Sequence, residues 1–208
     1  MKNNRDERVL TKGIDIILNS SERARDLTRS LLTFSRASED RFEAADLNEI
    51  LSDAILLVEQ QIAKEGIRLI RNPGRLPHAW VERGRLIEVF LNLISNARHA
   101  MPDGGTLSLT SREEGNRLVI EVSDTGMGIP SSNLGRLFDP FFTTKGPLNG
   151  TRTPGTGLGL FTVYNVIQAH GGQVSVESTQ DQGTTVRIHL PVRRGPVVTA
   201  GPAPVRRA

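Results

Sequence analysis

Apolar side chains recur at three- and four-residue steps through the first third of the chain. From about Asp6 to Arg36, Leu10, Ile14, Ile17, Leu18, Ala24, Leu27, Leu31 and Phe34 form one stripe, with Arg and Asp between them. That spacing predicts a single long amphipathic helix. One helix cannot bury its stripe against itself, so it requires a partner helix. The charge-dense run SRASEDRFEAAD reads as a linker. Asp46-Leu47-Asn48-Glu49 then has the pattern of a capping box. It opens a second helix with Leu47, Ile50, Leu51, Ala54, Ile55, Val58 and Ile62 inward, and Gly66 suits its stop.

The period then changes. Ile67–Arg71 and Ala79–Val81 are short strand candidates, followed by a long apolar helix from about Arg83 to Met101 that ends at Pro102-Asp103-Gly104-Gly105. Thr106–Ser111 and Arg117–Ser123 alternate and are joined at Gly115-Asn116, which predicts a hairpin. An irregular loop spans about Ser131–Pro154. A helix from about Thr156 to His170 ends at Gly171-Gly172, and a last hairpin pairs Gln173–Ser178 with Thr184–Leu190 around Gln180–Gly183. No repeat at a solenoid period is present. The expected fold is α+β, a two-layer α/β sandwich with a mixed, antiparallel-biased sheet covered by helices on one face, preceded by the long helix.

Composition narrows the function classes. The 208 residues suffice for a sizeable core, and the absence of cysteine excludes disulfides, thiol nucleophiles and thiolate metal sites. No apolar run approaches eighteen residues and no leader pattern follows Met1, so the expectation is a soluble, cytoplasmic protein. The net charge of +3 invites a nucleic-acid reading. However, Arg193, Arg194, Arg206 and Arg207 all lie in the tail from Val192, which contains no acid, and the rest of the chain carries a formal −1. That Pro-, Gly- and Arg-containing tail is expected to be disordered. With aromatics at 4%, base-stacking platforms and nucleic-acid partners are disfavoured.

Candidate chemistry concentrates in three glycine-rich stretches: Asp124-Thr-Gly-Met-Gly128-Ile-Pro130, Gly155-Thr-Gly-Leu-Gly-Leu160 and Gly183-Thr184. None fits a dinucleotide fingerprint or a P-loop. Glycines at such density still let backbone N–H groups approach phosphate oxygens, and the second stretch opens a helix, whose N-terminus favours an anion. On the preceding long helix, Asn92, Asn96 and His99 fall at i, i+4 and i+7, a polar stripe among apolar neighbours. Two buried amides are costly unless hydrogen-bonded or holding an ion, and an amide oxygen suits Mg²⁺ alongside phosphates and water.

The order N-L-x-x-N-A, D-x-G-M-G-I-P, F-D-P-F-F-T-T-K, G-T-G-L-G-L and a late G-T resembles the ATP-binding domain of sensor histidine kinases, within the superfamily that includes gyrase B, heat-shock protein 90 and MutL. The likeness runs from about Asp46 to Pro191, and NARHAMPDGG with FDPFFTTK is especially similar to kinases of the nitrogen-regulator and hybrid-sensor type. Upstream, RARDLTRSLLTFSR resembles the second helix of their dimerisation and phosphotransfer hairpin. The implied organisation is a hairpin helix over 1–38, a linker over 39–45, a catalytic domain over 46–191 and a tail over 192–208.

The resemblance implies roles for individual residues. Asp124 would accept from the adenine amino group, Gly126 and Gly128 would bring the loop close to the base, and Ile129 would pack on it. Asn96 would coordinate Mg²⁺, with Asn92 beside it and His99 facing the phosphates. Lys145, on a lid anchored by Phe138, Phe141 and Phe142, would reach the terminal phosphate. Gly155, Thr156, Gly157, Leu158, Gly159 and Leu160 would form the phosphate loop, and Thr184 would lie near the adenine. Implied partners are ATP, a hairpin or kinase subunit bearing the phosphoacceptor histidine, a response-regulator receiver domain, and a second chain through the first helix.

Two features discriminate among activities. The hydrolysing branches of the superfamily place a glutamate four residues before the metal-binding asparagine; here that position is Asn92, and an amide has no basicity toward water. Phosphoryl transfer is therefore expected over hydrolysis. The second feature is that the chain's histidines are His78, His99, His170 and His189, and none has the helical setting expected of the phosphoacceptor. The expectation is a protein-histidine kinase core acting on a histidine that is not in this chain, either in trans or in upstream sequence; the alternatives are a nucleotide-binding regulatory module without transfer, or a superfamily ATPase.

Overall fold

A computed structural model of the protein describes Gly13, residues 41–144 and residues 155–192. Apart from Gly13, the stripe from Asp6 to Arg36 lies outside the described residues, as do Lys145 and the tail beyond Val192. Five strands form one sheet: β2 (Ile67–Pro73), β4 (Gly105–Glu114), β5 (Arg117–Asp124), β6 (Gln173–Thr179) and β7 (Gly183–Pro191), ordered β2-β4-β5-β7-β6. β2 and β4 run parallel, in register at Ile67 and Gly105, and every other pair is antiparallel. The parallel pair needs a crossover. β3 (Ala79–Val81) and the long helix α3 (Arg83–Ala100) supply it.

Strand alternation divides the sheet into two faces. Leu107, Leu109, Leu118, Ile120, Val122, Val186, Ile188 and Leu190 point to one face and are buried. The other face carries charge: Arg187 Nε donates to Glu121 Oε2 at 2.6 Å and also pairs with Glu177. The apolar face is covered by α1 (Leu47–Leu56), α3 and α5 (Gly159–Ala169), with α3 packed against both others. This is the mixed-sheet, two-layer α+β sandwich that the periodicity predicts.

Several local expectations change. The helix anticipated from Leu47 through Ile62 is two helices, α1 and α2 (Glu59–Lys64). Val58 leaves helical geometry at φ −126°, and its N–H bonds Ile55 O three residues back at 2.9 Å. Leu56 and Leu57 are 72% and 68% exposed, so no packing demand holds the helix straight there, while Ile55 and Ile62 both stay buried. Asp46 does cap α1, accepting from Asn48 N–H at 2.8 Å. Glu43–Ala45, within the anticipated linker, form strand β1, which pairs antiparallel with β3 in a separate two-stranded ribbon. The irregular loop contains a short helix, α4 (Ser131–Leu134). α5 starts at Gly159 instead of Thr156, because Gly157 sits at φ +70°, outside any right-handed helix.

The end of α3 is fixed to the α2–β2 corner. Arg98 Nε donates to Glu65 Oε2 at 2.7 Å, and this bond holds the Glu65 carboxyl below its usual range. Phe90, on α3, is 1% exposed and lies at the centre of the packed layer. Phe90→Ala should lower the unfolding free energy by about 3–5 kcal/mol, read from urea denaturation with an unchanged slope.

Candidate nucleotide site

α3 is amphipathic in an unusual sense, since its second face is polar without being fully solvated. Leu86, Val89, Phe90, Leu93, Ile94 and Ala97 are buried. At 3.6 residues per turn, Asn92, Asn96 and His99 lie about a third of a turn round from that stripe, turned toward a neighbouring element. That element is the start of α5. A Cβ built on Gly159, its first residue, would lie 3.1 Å from Asn92 Oδ1 and 3.8 Å from Asn96 Nδ2. Asn92 Nδ2 donates to Glu88 O at 3.0 Å, which leaves its Oδ1 toward Gly159. His99 places Nδ1 at 2.6 Å from Ser95 O, so that nitrogen donates; the ring can donate toward an anion through Nε2 only as the imidazolium.

The phosphate-loop candidate is held from beneath. At Gly157 a Cβ would stand 2.3 Å from the Phe141 backbone carbon, and Phe141 itself sits at φ +64°. Thr156 Oγ1 lies 3.4 Å from the Leu158 N–H, and Leu160 packs partly buried against the core. Gly155 and Thr156 are partly buried. The N-terminus of α5, the positive end of its helix dipole, thus opens beside the two asparagine amides. Phe138 and Tyr164 stack with centroids 5.3 Å apart, and the Arg136 guanidinium lies 4.7 Å from the Phe142 ring centre.

Asp124 ends β5 on the sheet's inner face, opposite Thr184 of β7. Its Oδ1 accepts from Gly126 N–H at 2.9 Å. Burial pushes its carboxyl above the ordinary aspartate value, partly offset by backbone hydrogen bonds from Gly126 and Thr184. The loop from Asp124 to Pro130 is held from two sides. Met127 N–H donates to Ala100 O of α3 at 2.9 Å, and Asp181 N–H donates to Met127 O at 2.7 Å. Gly128 is at φ +64°, where a Cβ would meet Thr179 O at 2.0 Å, so only glycine fits. Ile129 N–H donates to Ser178 Oγ at 2.8 Å, and that hydroxyl lies 2.9 Å from both Gly183 O and Thr184 Oγ1.

All three glycine-rich stretches therefore gather around α3 and the end of β5. Comparison with known proteins gives the family. The profile described as "Histidine kinase-, DNA gyrase B-, and HSP90-like ATPase" matches residues 82–194, more than half of the chain. The chain belongs to this family. It is 38% identical over 191 residues to the sensor kinase CckA of Brucella abortus (strain 2308), covering 84% of this chain and 20% of that protein. The nucleotide-free catalytic domain of histidine kinase ThkA superposes with a TM-score of 0.64 at 28% identity, covering 73% of this chain and 96% of that one. ThkA in complex with response regulator protein TrrA gives a TM-score of 0.69 at 26% identity, covering 88% and 52%. The chain spans between 20% and 37% of the length of the curated relatives it matches. No described helix is long and apolar enough to cross a membrane.

The structure brings Asn92 and Asn96 beside Gly159, while Gly157 lies against the Phe141 backbone; Asp124, Gly126, Gly128 and Ile129 form a loop beside Thr184 of β7. Lys145 lies outside the described residues. Ser178 was not anticipated. It carries no motif, but in β6 it follows inward-facing Val174 and Val176, and a polar residue at that register requires a partner. Removing the hydroxyl with Ser178→Ala strands the Ile129 N–H and should cost about 1–3 kcal/mol of stability, checked by chemical denaturation.

Asp124→Asn should leave stability equal or higher, because the burial cost falls on the charged form. The pH dependence follows with a defined sign. The folded chain takes up a proton on Asp124 at a higher pH than the unfolded chain does. Intrinsic stability therefore rises as pH falls through that raised value, and this dependence disappears in Asp124→Asn. Thermal melts of both proteins across the acidic range provide the check.

Proposed function

We propose that the chain binds Mg-ATP between α3, the Asp124–Pro130 loop and the start of α5, and transfers the γ-phosphoryl group to a histidine outside this chain. The observation that carries this reading is the approach of Gly159 to Asn92 and Asn96. A helix N-terminus against two amide groups, with a Cβ-free first residue, leaves a cradle for phosphate oxygens. The donor set suits a hard cation: Asn96, beside phosphate oxygens and water, would hold Mg²⁺, which supplies charge neutralisation when bound. Asp124 accepts from the adenine amino group through its carboxylate, while Gly126 and Thr184 N–H groups fix that carboxylate in place. Thr184 and Ile129 complete the base pocket. His99 as its imidazolium, and Lys145, would offset negative charge on the phosphate chain.

Transfer is favoured over hydrolysis by Asn92. Where an ATPase of this superfamily needs a carboxylate to take a proton from water, this chain has an amide whose nitrogen already donates to Glu88 O. In the reaction the bond between the β,γ-bridging oxygen and the γ-phosphorus breaks, a nitrogen–phosphorus bond forms on the acceptor imidazole, and ADP departs. The protein's work is positioning and charge compensation. The acceptor belongs on a helical hairpin, supplied by another chain or by sequence upstream of residue 1, with residues 1–38 as a hairpin helix that pairs chains into a homodimer or mixed bundle. A response-regulator receiver domain would take the phosphoryl group onward, in keeping with the likeness to ThkA bound to TrrA.

The test combines the purified chain, labelled ATP and a separately made hairpin bearing a helical histidine. Label should reach the hairpin only when both proteins are present. Asn96→Ala and Asp124→Asn should each weaken nucleotide affinity about tenfold or more, by removing a charge-assisted contact. Nucleotide binding without transfer would point instead to a regulatory module. Steady ATP turnover without the hairpin would point to an ATPase, and unchanged affinity in both variants would overturn the site.

A further inference from the structure

One buried histidine plays no part in the chemistry above. His170, the C-cap residue of α5, is 2% exposed. Its Nδ1 lies 2.8 Å from Val166 O, and its Nε2 accepts from Glu82 N–H at 3.0 Å. A carbonyl on one side and an N–H on the other fit the neutral ring with its proton on Nδ1. The Phe42 ring packs on the imidazole, with centroids 5.0 Å apart and planes tilted by 42°.

The three partners sit at strategic places. Glu82 is the N-cap of α3 and makes no side-chain capping bond, so His170 satisfies one of the N–H groups at that helix end. Val166 lies in the last turn of α5. Phe42 immediately precedes β1, where the chain enters the domain. α3 and α5 are the two helices that meet at Gly159, Asn92 and Asn96. His170 is about 16 Å along α5 from that meeting point, too far to touch a phosphate bound there. An aliphatic side chain would fill the same space without two polar atoms to satisfy, whereas the imidazole fastens all three elements to one another.

We infer that His170 is a positioning residue coupling the segment that enters at Phe42 to the relative placement of α3 and α5, and thereby to nucleotide affinity. This rests on the nucleotide reading above. A displaced Phe42 moves the ring, the ring moves the start of α3 against the end of α5, and the two asparagines shift relative to Gly159.

The experiment measures affinity of the full chain for a fluorescent ATP analogue with Mg²⁺. His170→Asn keeps a polar group near Nδ1 but cannot reach Glu82, whereas His170→Gln can present an acceptor at the Nε2 position. His170→Asn should weaken binding about tenfold, the loss of one buried hydrogen bond, and His170→Gln should recover to within about twofold of the parent. Phe42→Ala should weaken binding on its own yet add nothing in the His170→Asn background, since both act on one path. Independently of nucleotide, amide exchange at Glu82 should quicken in Phe42→Ala. This last arm stands even if His170→Asn does not fold. Parent-like binding in His170→Asn, equal loss in His170→Gln, additive losses in the double variant, or unaltered Glu82 exchange in Phe42→Ala would each overturn the inference. A folded parent chain that binds no analogue would instead bring down the nucleotide reading, while the Glu82 exchange arm would still report on the coupling itself.

Discussion

The burial of one stripe of α3 against the sheet is the constraint on which the rest of the molecule depends. With Leu86, Phe90, Leu93 and Ala97 committed to the core, helical geometry leaves Asn92 and Asn96 no freedom of direction. They face the start of α5, and α5 can come close because its first residue has no side chain. A side chain at Gly159 would press on the Asn92 amide and fill the space between the two helices. Packing density in the interior and chemistry at its margin are thus two consequences of the same helix placement.

A second consequence runs along the helix. Ala100 O, in the last turn of α3, accepts from the Met127 N–H, and Asp181 N–H donates to the Met127 carbonyl. The Asp124–Pro130 loop is therefore suspended between the helix layer and the β6–β7 turn, with Ser178 beneath it. Asp124 tolerates its burial because backbone N–H groups are aimed at it, and residual desolvation raises its pKa. A partly desolvated carboxylate of this kind discriminates among hydrogen-bonding partners more sharply than one in water, because an unmatched partner leaves it unpaired. The family description spans histidine kinases and ATPases, so the fold alone does not separate phosphoryl transfer from hydrolysis.

Much of this was legible beforehand, for identifiable reasons. Strand alternation located β2, β4, β5, β6 and β7 within a few residues, because a sheet buried on one face forces period two. The glycine stretches and the Asn92–Asn96 pair were visible because close backbone approach and amides on a half-buried helix face leave compositional marks. Elements without such marks escaped. β1 is three residues long and exists only because β3 offers it an edge. The break at Leu57–Val58 is hidden by apolar residues on both sides that continue the helical period.

Local sequence determined which segments are helices and strands, which faces are apolar, and where glycines and polar side chains interrupt the apolar pattern. These follow from periodicity and side-chain chemistry, which act over one or two turns of chain. Tertiary structure decided what meets what: Gly159 with Asn92, Asp124 with the Thr184 N–H, Ser178 with Ile129, and His170 with Glu82 and Phe42. The His170 bond to Glu82 spans 88 residues of sequence. No local pattern encodes a pairing at that separation. It arises only when the sheet's strand order and the shared burial of α3 and α5 bring the two ends into one layer.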